Sequence, residues 1–196
     1  MREIIKMFVV LGIICGAAGA LLAGVKFGTM ERIEYQELTF VKGPVITEVL
    51  AGCTNNPVDS RFKMKYGEEE VKFFPGIFDG KCTKMAFETK GTGFGGDIGL
   101  IMAVNIKDDT ISAVGITTHK ETPGVGSRAK DSKPFKNSFV GLSIHDEIKI
   151  KGDGGSIDAV SGATVTSKGV CTGANLGSKI YKELKDQILA KAREIK

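Results

Sequence analysis

The stretches IGLIMAVNIK (residues 98–107), DD (108–109) and TISAVGITT (110–118) decide the reading of the fold. The outer two are rich in aliphatic and β-branched residues, and Asp108-Asp109 supplies a turn, so together they predict an antiparallel hairpin. Lys84–Thr89 alternates and predicts a strand before it. Further on the period changes. Ile180, Leu184 and Ile188 recur every fourth residue, with Tyr181 and Leu189 beside them, which predicts a helix over Gly169–Lys196. This order of elements implies an α+β domain, an antiparallel sheet with helices on one side. Residues 52–80 contain Pro57, Pro75 and several polar turns, and read as irregular structure with short strands. Residues 27–40 read as a charged connector.

The chain has 196 residues, enough for one domain of roughly 100–200 residues plus an appendage. Hydrophobic residues make up 42% and charged residues 26%, an ordinary globular balance. The net charge is +4, and the basic residues are not clustered with aromatics, which argues against a nucleic-acid partner. Cys15, Cys53, Cys82 and Cys171 form no CxxC pair, and His119 and His145 have no close Cys or His partner, so no metal site is expected. Cys53 and Cys82 read as free buried thiols, with a disulfide as the alternative in an oxidising compartment. Gly91, Gly93 and Gly96 spell GxGxxG, but a strand follows where a dinucleotide site needs a helix. Ser127–Lys130 matches SxxK without its partner motifs. No catalytic residue is expected.

Residues Met7–Val25 run for 19 positions without a charge, about the length that spans a bilayer. Lys6 and Lys26 bracket them, and Gly12, Gly16, Ala17, Gly19, Ala20 and Gly24 would let other helices approach closely. The apolar run is longer than the ~7–15 residues of a signal-peptide core. We therefore expect a membrane anchor over 7–26, with residues 1–6 cytoplasmic. Arg2 and Lys6 favour an external soluble part, although Lys26 and Arg32 weaken that bias.

The segment DAVSGATVTS (158–167) is small, hydroxyl-rich and directly precedes the helical pattern. Thr166 or Ser167 is the expected N-cap. A phosphate here would meet free backbone N–H groups and the positive end of the helix dipole, with Gly162 and Ala163 leaving room for it. From its residues alone, the plainer reading is a capped polar turn.

Asp158, Ser161, Gly162, Ala163 and Thr164 resemble the Asp-x-x-Ser/Thr-Gly-Ala-Thr flavinylation motif of the FMN-binding domain family. That family includes the G subunit of the Rnf complex and the C subunit of the sodium-pumping NADH:quinone oxidoreductase. ETPGVG (121–126) is similar to the family's Glu-Thr-Pro-Gly-Leu-Gly loop, with Val125 in place of Leu. The Gly91–Gly96 loop and the strand after it resemble the turn before the family's central hairpin. The likeness covers about residues 84–190.

The resemblance implies covalent FMN, joined through a phosphoester to Thr164, with Thr166 as the competing position. A separate flavin transferase would attach it, and Asp158 and Ser161 would serve recognition by that enzyme and loop geometry. Ser161, Gly162, Ala163, Val165 and Thr166 would line the cofactor site. Glu121 and Thr122 would make polar contacts to the flavin or its ribityl chain, and Val125 would pack on the ring. Arg128 or Lys168 would favour an anionic reduced flavin. The implied role is electron relay within an ion-translocating ferredoxin:NAD oxidoreductase (Rnf) complex in the cell membrane, beside its other subunits. A C-type subunit of the quinone-reducing relative, or a tethered module with no redox role, are the alternatives. The expected layout is connector and N-terminal part of the soluble domain over 27–83 and FMN-binding region over 84–196.

Overall fold

A computed structural model describes residues 2–195, so Met1 and Lys196, the last position of the expected helix, lie outside the described residues. The chain forms two compact units that divide between Phe40 and Val41.

The first unit is dominated by α1 (Arg2–Gln36), on which no residue is buried. Its apolar window has a mean hydropathy of 2.4, so this helix is long and apolar enough to cross a membrane. At 1.5 Å per residue, its 35 residues extend ~50 Å, more than the ~30 Å of bilayer hydrocarbon. Most of the connector beyond residue 26 is therefore helical. A π-helical turn, Glu37–Lys42, follows.

The second unit holds α2 (Gly43–Val49), β1 (Phe62–Tyr66), β2 (Glu69–Phe78), β3 (Lys81–Thr92), β4 (Asp97–Asn105), β5 (Thr110–Ile116), α3 (Arg128–Asp131), α4 (Lys133–Asn137) and α5 (Thr164–Glu194). The strands form one antiparallel meander in the order β1-β2-β3-β4-β5. The hairpin expected over 98–118 is β4–β5, with Met102 opposite Val114 and Leu100 opposite Ile116.

Two expectations are corrected. The short strands expected within 52–80 are β1 and β2, but β2 runs for ten residues. Pro75 is tolerated inside β2 because β1 pairs only as far as Phe73, so the proline lies past the end of that ladder. There Asn55 replaces a neighbouring strand: its Nδ2 donates to Pro75 O at 2.9 Å, and its Oδ1 accepts from Ile77 N at 2.9 Å. Helices also cover both faces of the sheet rather than one. α5 packs over β3 and β4, and α2 over β4 and β5. Alternation along β4 divides the core accordingly. Leu100, Met102 and Val104 share a cluster with Val170, Ala174, Ile180 and Tyr181 of α5. Ile101 and Ala103, equally buried, point to the other face.

The approach of α5 to β3 is backbone to backbone. A Cβ on Gly91 would fall 1.9 Å from Gly169 O, and one on Gly173 would fall 3.0 Å from Gly91 N. Thr89 Oγ1 donates to Gly173 O at 2.8 Å across the same seam. All four cysteines are free. Burial pushes the Cys82 and Cys171 thiols up to about 11, so neither is a reactive thiolate near neutral pH.

Gly91→Ala must push the helix off the strand. We expect it to cost about 2 kcal/mol or more by urea denaturation, against less than ~1 kcal/mol for Gly152→Ala, an exposed glycine outside the left-handed region whose added Cβ would meet only Ile150 Cδ1 at 3.8 Å.

Candidate functional site

The segment before α5 turns sharply at Gly162, whose φ is +77°, and the helix begins at Thr164 rather than at Gly169. The N-cap is Ala163, not Thr166 or Ser167. The hydroxyls expected to cap the helix lie inside its first turn and act sideways. Ser167 Oγ accepts from Val160 N at 3.0 Å and donates to Ala163 O at 2.9 Å, tying the turn to the helix. Ser167 N closes a helical bond to Ala163 O at 2.9 Å, so the amides of Thr164, Val165 and Thr166 precede the ladder and open outward.

Thr164 and Thr166 differ sharply. Thr164 is exposed. Thr166 is 3% exposed, and its hydroxyl donates to Glu121 Oε2. Glu121, at 6% exposure, is the one buried carboxylate among the described residues, covered by its neighbours at the cleft wall. Its other oxygen accepts from Gly95 N at 2.8 Å. Burial alone would raise its pKa. The Thr166 hydroxyl, the Gly95 and Phe94 amides and nearby His119 outweigh that and hold the carboxyl below the usual range.

Three segments enclose a cleft of about 380 Å³: Phe94 from the glycine loop, Glu121–Gly126, and Gly162–Thr166. Glu121, Thr122, Val125, Gly162, Ala163, Thr164, Val165 and Thr166 are thus brought together from two distant stretches. Its rim is unusually apolar. Among the described residues of the second unit, the exposed large apolar side chains are Val41, Phe94, Val125, Val140 and Val165, and three of these line the cleft. Phe94 is 79% exposed, Val165 50% and Val125 47%.

The remaining residues of interest stand outside the cleft lining, and so does Ser161, which was expected in it: the lining begins at the next residue, Gly162. Asp158 pairs with Lys151 at 2.8 Å, and Lys168 pairs with Asp153 at 2.9 Å. Arg128 donates to the Ser161 carbonyl at 3.3 Å, bracing the turn from below the motif. Phe94 was not singled out from sequence, and Gly126 entered only as the last residue of the 121–126 loop. Phe94 lies in a loop read only as a turn, and its lone aromatic ring among glycines was the available signal.

A lowered carboxyl pKa has a definite sign. Glu121 contributes stability that is full above its unfolded pKa and is lost as pH falls through its folded one. The stability gap between wild type and Glu121→Gln should therefore shrink as pH falls below about 4.5. Urea titrations across the acid range read this directly, and a gap independent of pH would contradict it.

The FMN-binding domain family matches residues 93–178, which include Phe94 of the glycine loop, the Glu121 loop and the start of α5. The chain is 26% identical over 197 residues to the G subunit of the Na(+)-translocating ferredoxin:NAD(+) oxidoreductase complex of Acetobacterium woodii, covering 93% of this chain and 94% of that one. It is 31% identical over 173 residues to the G subunit of the ion-translocating oxidoreductase complex of Stutzerimonas stutzeri, covering 83% and 74% respectively. In fold it is similar to the crystal structure of Shewanella oneidensis NqrC, with a TM-score of 0.53 and 23% identity over 70% of this chain and 72% of that one. Sequence, fold and the joined cleft agree: the chain belongs to the FMN-binding family of G subunits of ion-translocating oxidoreductase complexes.

Proposed function

We propose that this chain carries FMN covalently on Thr164 and relays electrons within a membrane-bound ferredoxin:NAD oxidoreductase complex of the Rnf type. The observation that carries this reading is the contrast between the two threonines. Thr164 is exposed at the mouth of an apolar-rimmed cleft, while Thr166 is buried and its hydroxyl is committed to Glu121.

A threonine hydroxyl does not attack a phosphoanhydride unaided. A flavin transferase would join Thr164 Oγ1 to the FMN phosphorus of FAD and release AMP. Exposed Asp158 and Ser161, on the approach to the turn, suit recognition by that enzyme. Once attached, the phosphodiester keeps one negative charge. The open amides at the start of α5 would stabilise it by about 0.3–1 kcal/mol. Phe94, Val125 and Val165 offer apolar surface to the ring, and Thr122 offers a polar contact at the cleft edge. The flavin supplies reversible electron uptake. The protein supplies orientation, burial and local charge. Tethering prevents loss of the cofactor where free FMN is scarce, which fits a soluble unit on the external side, as Arg2 and Lys6 favour. The other subunits of the complex would provide the neighbouring donor and acceptor.

The protein is co-expressed with a flavin transferase and run on a denaturing gel under ultraviolet light. Wild type and Thr166→Val should fluoresce and Thr164→Val should not. A band lost only in Thr166→Val moves the attachment site. A dark wild-type band, with a transferase shown to be active on another acceptor, favours a tethered module without a redox role.

A further inference from the structure

Glu121 has an unusual setting for a charged side chain. Its hydrogen bonds come from neutral donors, the Gly95 amide and the Thr166 hydroxyl, rather than from a lysine or arginine. Neutral donors satisfy the oxygens without cancelling the charge. His119 is the titratable group near enough to favour its ionised form. The backbone closes against both oxygens. A Cβ on Gly93 would fall 2.5 Å from Oε1, and one on Gly126 would fall 2.5 Å from Oε2. The carboxylate is therefore wedged between the Phe94 loop, the 121–126 loop and the first turn of α5. Glu121, Phe94 and Thr166 all line the same cleft as Thr164.

We propose that Glu121 is a fixed negative charge in the wall of the flavin cleft, and that it lowers the midpoint potential of the bound FMN. The inference rests on the assignment of FMN to Thr164. Two-electron reduction with uptake of one proton leaves the ring one unit more negative than its oxidised form. A carboxylate held in the cleft wall opposes that added charge and favours the oxidised ring. Glu121 acts here as a positioning residue as well, because the same two hydrogen bonds hold the Phe94 loop against the attachment helix.

The test uses the full chain in detergent, loaded by co-expressed transferase. The electrons come from dithionite and the proton from water, and flavin absorbance is followed against indicator dyes. Wild type is compared with Glu121→Gln and Thr166→Val. Glutamine keeps the shape, with its oxygen toward Gly95 and its NH2 toward Thr166, but removes the charge, so the potential moves up. Valine at 166 keeps the charge and removes a donor that partly offset it, so the potential moves down. A shift of both variants in the same direction follows a change in structure rather than in charge, and that result overturns the proposal. An unchanged potential in Glu121→Gln also overturns it, and so does a rise in Thr166→Val taken alone, even if Glu121→Gln fails to fold. Covalent fluorescence on the denaturing gel separates the two readings. Loaded protein with equal potentials overturns only the role of Glu121, whereas wild type without covalent flavin overturns the Thr164 assignment with it.

Discussion

Near its N-terminus helix α5 meets the end of β3 backbone to backbone, and the site depends on that contact. At Gly91, Gly169 and Gly173 the two backbones meet at distances that leave no space for a Cβ. Such an approach fixes the helix along its axis as well as its height above the sheet, because any slide brings a side chain into the seam. Gly169 also sits against the Thr92 carbonyl and Gly93, where β3 gives way to the glycine loop. The N-terminus of the helix is thereby set beside the loop that carries Phe94.

Glu121 completes what the glycine seam begins. It reaches from the segment after β5 to both the loop and the helix, and one carboxylate serves as the common acceptor for Gly95 and Thr166. A buried carboxylate is costly unless its oxygens are satisfied, so its presence here points to a purpose beyond packing. The hydroxyl of Thr166 is consumed in this role. That leaves Thr164, two positions earlier and exposed, as the accessible threonine of the α5 turn; Thr122, across the cleft, is exposed as well. Fold and chemistry thus share one element: the arrangement that seats α5 also selects which hydroxyl faces outward.

Much of this was legible beforehand. The β4–β5 hairpin announced itself through two aliphatic runs around Asp108-Asp109, and α5 through the four-residue spacing of Ile180, Leu184 and Ile188. Strand β2 was hidden because Pro75 and Gly76 are strand breakers by local rule. Asn55, twenty residues away, repairs the ladder, and no local window includes it. The first turn of α5 was missed for a similar reason. Glycine and small hydroxyl residues are weak helix formers, and Thr164–Lys168 is helical because the seam and Ser167 hold it so. Glu121 read as a flavin contact, and its burial against Gly95 and Thr166 could not be read from neighbouring residues.

The amino-acid sequence by itself determined the period of each main element, the single long apolar helix and the Asp158–Thr164 motif, since each is carried by residues adjacent along the chain. Only the tertiary structure decided that Phe94 belongs with Thr164, that Thr166 is unavailable and that Glu121 is buried. Those are relations between segments about 30 to 70 residues apart, brought together by the packing of α5 on the sheet. Local propensity carries no information about which hydroxyl a distant carboxylate will claim. Packing and hydrogen-bond satisfaction do, because a buried charge must find its donors wherever the fold places them.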